Sequence, residues 1–191
     1  MVLREPIDED DVWLFASEFN LEKTHELSAP ERQGIVRQVS WATDQETRLH
    51  YAVDHLSACS FIVVEDGDSE NFSQLVDAVM EVLDPWTIDE LLTEAASYAT
   101  SGDPRAFAQA VIRLGVGAPN DYNGEVFNRI LAAMHSPETW VRKAAIWATT
   151  YSRWPQFLPL LSEVADKDPD QEIRSEARLM VDFDNEPENE P

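Results

Sequence analysis

Four histidines, His25, His50, His55 and His135, are the side chains best suited to proton transfer or metal ligation near neutral pH. Their spacing argues against both roles. They fall in different segments, and His50 and His55 lie an odd number of residues apart, so one regular strand would turn them to opposite faces. The run Asp66-Gly67-Asp68 places carboxylates at a turn but lacks the ligand series of a calcium loop. Cys59, the one cysteine, sits in the apolar run 58–64 and reads as a buried, inert thiol. There is no HExxH, no glycine-rich phosphate loop and no G-x-S-x-G. Neither a catalytic group nor a bound metal or cofactor is expected.

Charge is the stronger lead. The chain holds 14 Lys+Arg against 37 Asp+Glu, net −23, a balance that disfavours nucleic acid as a partner. Residues 1–100 carry 22 acids and 5 bases, whereas residues 101–191 carry 15 and 9. Between Arg48 and Arg105 there are twelve acids and no base. An acid-rich proteome accounts for the total, but a uniform bias does not produce so lopsided a chain. Within the gap, Glu70, Asp77, Glu81 and Asp84 fall within about 60° of one another at helical spacing, with no lysine one turn away to relieve them. They read either as a solvated helix face or as a surface for a cationic partner. They are the candidate binding residues, together with Trp86, Tyr122 and Trp154, which precede helices and either staple them or anchor a partner.

These residues need elements to hold them. Asp8 to about Glu22 reads as a helix, with Val12, Trp13, Phe15, Ala16 and Phe19 available for packing. Ser28 and Glu31 have capping-box spacing, which predicts a second helix over about 28–41. Alternation at Leu49, Tyr51 and Val53, then the run Ser60–Val64, predicts a β-hairpin of about 47–66. Helices follow over 70–83, 87–100, 104–115, 124–135, 138–151, 155–166 and 170–181. From Asp182 onward too little is apolar for a fold, so an acidic disordered tail is expected over 182–191.

The last helices contain one phrase twice. Pro137, Val141, Arg142 and Ala145 recur as Pro169, Ile173, Arg174 and Ala177, each displaced by 32 residues. A period of that length marks stacked helical hairpins. Ser136 and Asp168 read as N-caps, with Pro137 and Pro169 at the first helical position. The phrase resembles the D-P-x-x-x-V-R-x-x-A signature of HEAT repeats and of the related repeats in phycobilin lyases. The resemblance covers Asp103 to about Met180. It implies a curved α-solenoid, in which an arginine at the position of Arg142 and Arg174 ties one repeat to the next through an acidic loop residue.

The expected molecule is mostly α: an N-terminal α+β cap over 1–68, then HEAT-like repeats over 69–181. Its expected role is that of a non-catalytic protein-interaction module, either a scaffold or an acidic inhibitor of the immunity type, for a basic protein. The resemblance supplies the alternative, a phycobilin-lyase-like cofactor chaperone or enzyme. No apolar run approaches the roughly 20 residues of a membrane span. The start MVLREPIDEDD lacks a signal-peptide core, which makes the cytoplasm the expected compartment.

Overall fold

The computed structural model describes residues 1–28, 35–43, 47–65 and 71–185. The chain divides into two compact units between Thr87 and Ile88.

In the first unit, helix α1 (Glu9–Glu18) opens on a reciprocal cap. The Asp8 carboxylate accepts from the amides of Asp10 and Asp11, and the Asp11 carboxylate accepts from the amide of Asp8. Acids in this first turn also oppose the positive end of the helix dipole. Four strands follow, β1 (Glu22–Ser28), β2 (Ile35–Ala42), β3 (Arg48–Asp54) and β4 (Cys59–Glu65), antiparallel and in sequence order across one sheet.

The expected helix over 28–41 is therefore wrong, since Ser28 ends β1 and Ile35–Ala42 is a strand. The physical reason is period. Val39 and Trp41 are both buried, which two residues apart requires a pleated strand, because a helix would place them about 200° apart. The register confirms the pleat, with Val39 opposite Tyr51 and Tyr51 opposite Ile62, and Trp41 opposite Leu49 and Leu49 opposite Val64. Glu31, the other half of the supposed capping box, lies outside the described residues, as does Asp66-Gly67-Asp68. The β3–β4 hairpin pairs from Arg48–Glu65 to Asp54–Cys59. It turns through Ala58, at φ 50°, while the Asp54 carboxylate accepts from the Ser57 amide at 2.8 Å.

Helix α2 (Asn71–Val82) belongs to this unit. Leu75 and Val79, at helical spacing, with Leu83 just beyond the helix end, join Val12, Phe15 and Ala16 of α1 and the core-facing residues of β2–β4 in one apolar cluster. The expected boundary at 68/69 thus falls inside the first unit. Strand β1 forms one edge of the sheet. All seven of its residues are exposed, and a bulge interrupts its pairing between Lys23 and His25.

The second unit is helical: α3 (Ile88–Ser101), α4 (Pro104–Val116), α5 (Gly124–Met134), α6 (Thr139–Ser152), a 3-10 turn (Pro155–Phe157), α7 (Leu158–Lys167) and α8 (Gln171–Asn185). Asp103 caps α4 with Pro104 at its first position, and Asn123 caps α5. Consecutive helices pack as α3–α4, α5–α6 and α7–α8, and α6 also packs on α4 and α8. The hairpins are thus α3–α4, α5–α6 and α7–α8, and α6 is not the hairpin partner of α7. Helix α4 approaches α6 so closely that a Cβ on Gly115 would lie 2.6 Å from the Ala148 carbonyl oxygen.

Both repeated phrases start their helices later than expected. Helix α6 begins at Thr139, and Ser136 Oγ instead accepts from the Glu138 amide at 3.2 Å. Helix α8 begins at Gln171, with Asp170 Oδ1 accepting from the Glu172 amide at 2.8 Å. The prolines therefore lie in the loops before the helices. Helix α8 also continues to Asn185, so residues 182–185 are not the disordered tail that was expected. The remainder of that tail, 186–191, lies outside the described residues.

Candidate functional site

The four carboxylates expected to form one stripe are not equivalent. Asp77 and Glu81 sit one turn apart on the exposed face of α2. Asp84 lies beyond the helix end, at φ 39°. There Arg4 Nε approaches both its backbone oxygen, at 2.8 Å, and its carboxylate, at 3.1 Å. Glu70 lies outside the described residues. The structure thus keeps two of the four as one exposed pair and gives a third a cationic partner 80 positions earlier in the chain.

The other described cations of the first unit are engaged in the same way. The Arg37 guanidinium on β2 spans Glu9 of α1, at 2.6 Å, and Glu26 of β1, at 2.5 Å. Lys23 also pairs with Glu26, and Arg48 lies 4.0 Å from Glu65. Hydrogen bonds from Lys23 and then Arg37 pull the Glu26 carboxyl down to about 2. The bond from Arg37 likewise holds Glu9 below its ordinary value. Each described Lys and Arg side chain of the unit thus has a carboxylate partner, while Asp10, Asp11, Glu18, Glu22, Asp77 and Glu81 face solvent.

The three aromatic candidates part company. Trp86 belongs to the first unit, where the Arg4 guanidinium lies 4.8 Å from its ring centroid and its amide donates to the Val2 carbonyl at 2.8 Å. Tyr122 and Trp154 are brought together in the second unit, with ring centroids 5.4 Å apart. Phe127 and Phe157 extend them into a four-ring cluster. Trp154 is only 4% exposed and its indole donates to the Asn120 carbonyl, so it packs the interior. Tyr122 is 50% exposed and covers the outer side of the cluster.

The repeated arginines do different things with the same reach. Arg142 Nη1 donates to the carbonyl of Ser136, and Arg174 Nη1 to that of Asp168, each six residues back and just before the proline. Arg142 also grips the Asp168 carboxylate through Nε and Nη2, at 2.8 and 3.1 Å. Burial alone would raise the Asp168 carboxyl, but hydrogen bonds from Arg142 and the Asp170 amide outweigh it and hold the group below its ordinary value. The same bond raises Arg142. Both side chains are buried, which makes this an internal brace within the second unit.

Two features escaped sequence reading. Ser40, His50 and Glu65 come from three strands, with Ser40 Oγ 2.7 Å from His50 Nδ1 and Glu65 Oε2 3.2 Å from His50 Nε2. The second approach is not aligned as a hydrogen bond. Nucleophilic chemistry needs a hydroxyl that a substrate carbonyl can reach, and Ser40 is 4% exposed. Cys59, half-buried, contacts Ser57 Oγ at 3.0 Å. Among the described residues no group of three His, Cys, Asp or Glu is arranged to hold a metal ion.

The second feature is on α1. Trp13, expected to be available for packing, is 54% exposed, and its neighbour Leu14 is 56% exposed. The signal was legible, because at about 100° per residue Val12, Phe15, Ala16 and Phe19 share one face, and Leu14 lies opposite it.

Among the described residues no helix is long and apolar enough to cross a membrane. No curated protein and no solved structure gives a significant match to the chain. Residues 88–181 match the family model for HEAT repeats. That span runs from the first helix of the second unit into its last, so helices α3–α8 are similar to HEAT repeats, elements that generally mediate protein–protein interaction.

Proposed function

We propose that the protein is a non-catalytic interaction module that uses the acidic surface of its first unit to capture a basic partner protein, as an inhibitor or a scaffold. One observation carries this reading. The described Lys and Arg side chains of that unit each have a carboxylate partner, so its outward charge is predominantly acidic. Such a surface raises the local concentration of a cationic partner and speeds encounter. Asp77 and Glu81 of α2 are its most regular pair. The repeats support a binding role in general.

The test is capture from a matched cell lysate at about 50 and 500 mM salt, across which the screening length falls from about 14 to 4 Å. Retained proteins should be basic and should wash off at the higher salt. A neutral set retained equally at both concentrations would overturn the reading.

A further inference from the structure

We propose that the outward face of α1 docks an amphipathic helix of the partner, one whose apolar stripe is bordered by Lys and Arg. The inference rests on the acidic-capture reading and names the segment that such a partner presents. Helix α1 buries Val12, Phe15 and Ala16 against the sheet and turns Trp13 and Leu14 outward. At about 100° per residue, Asp10 and Glu18 lie on either side of Leu14, one turn before and after it, and Asp11 lies beside Glu18. All three acids are exposed. Leu14 thus lies among the acids and Trp13 borders them beyond Asp10, an arrangement in which exposed apolar side chains meet a charged rim as in the usual anatomy of a hot spot.

Charge selects the occupant. Residues 1–87 hold 19 acids and 5 bases, net −14, so a second copy of this face or an anionic bilayer would be repelled. A cationic segment without an apolar stripe would satisfy the charged rim and leave Trp13 and Leu14 in water. A helix with both features satisfies the whole face, reading its apolar residues at i, i+3, i+4 and i+7.

The experiment uses the full chain and three labelled peptides followed by fluorescence anisotropy at about 50 mM salt. One is a helical peptide with a leucine stripe in a lysine background, one has the same composition scrambled, and one is oligolysine. The striped peptide should bind wild type at least tenfold more tightly than the scrambled one. The double variant Trp13→Ala/Leu14→Ser should erase that margin and leave oligolysine binding unchanged. Circular dichroism melts should coincide with wild type, because both side chains are exposed. A margin that survives the double variant, or is absent in wild type while oligolysine still binds, overturns the α1 inference alone. Failure of oligolysine to bind wild type overturns the acidic-capture reading with it. Loss, in the same variant, of a wild-type dimer or of adsorption to zwitterionic vesicles would assign the face to a second copy or to a bilayer, and overturns the inference too.

Discussion

Arg142 and Asp168 are 26 residues apart and meet through two parallel hydrogen bonds, in a site that admits little water. The same Asp168 that accepts from Arg142 also gives its carbonyl to Arg174 and accepts from the Asp170 amide. One loop residue thus serves helices α6 and α8, which belong to two successive hairpins.

Removing either partner strands a buried charge. Asp168→Ala should cost about 3–5 kcal/mol, the usual penalty for breaking a buried pair from one side. Arg142→Lys should recover little of the stability lost in Arg142→Ala, because an ammonium cannot reproduce the two-pronged grip. Denaturant melts of the three variants measure both effects.

The pair also sets a pH dependence. The Asp168 carboxyl lies below its ordinary value in the folded chain, so its contribution is complete above the unfolded value of about 4 and is lost as pH falls below it. The stability difference between wild type and Asp168→Asn should therefore be constant from about pH 6 to 8 and shrink below about pH 4. A difference that grows on acidification would contradict the sign.

Glu26 offers a second check by a different method. Its carboxyl, held by Lys23 and Arg37, should titrate near 2 in a carbon-detected NMR experiment. Arg37→Gln should move the Glu26 midpoint toward ordinary values.

Close packing in the repeats gives a steric prediction. Ala145 is fully buried, and Ala145→Leu should overpack its site at a cost of about 1–3 kcal/mol. Gly115→Ala should also destabilise, because its new methyl group would meet backbone atoms of α6 rather than a movable side chain. Thermal melts that match wild type for both would mean that α4 and α6 separate readily.

The acidic pair on α2 can be separated from its neighbour. Asp77→Asn with Glu81→Gln should slow association with a cationic partner and flatten its salt dependence, leaving the fold intact. Asp84→Asn should instead act on stability, because it loosens Arg4. Stopped-flow association at two salt concentrations distinguishes the two variants.

Much of the second unit was legible in the sequence because its signals are local. Asp103-Pro104 and Asn123 announce helices within a few residues, and the 32-residue echo of Pro137 to Ala145 announces repetition. The echo was informative about the arginines and misleading about the helix starts, since proline in the loop and proline in the first turn look alike until the caps are seen. The first unit was harder. Strand β2 was obscured by the supposed cap at Ser28, and its proof, Trp41 facing Leu49, requires a second strand. The site suffered similarly. The exposure of Asp77 and Glu81 follows from helical spacing, but Arg4 finds Asp84 across 80 residues, and Ser40, His50 and Glu65 meet only once three strands are aligned.

The exposed edge strand has a consequence for the molecule in a crowded solution. A flat edge with unpaired amides invites strands from other copies and can seed fibres. On β1 the bulge between Lys23 and His25 interrupts the template, and Glu22, Lys23 and Glu26 line it with charge. Two copies meeting edge to edge would have to desolvate these groups and straighten the kink. The strand can thus remain open to solvent along its whole length without turning the protein into an aggregate.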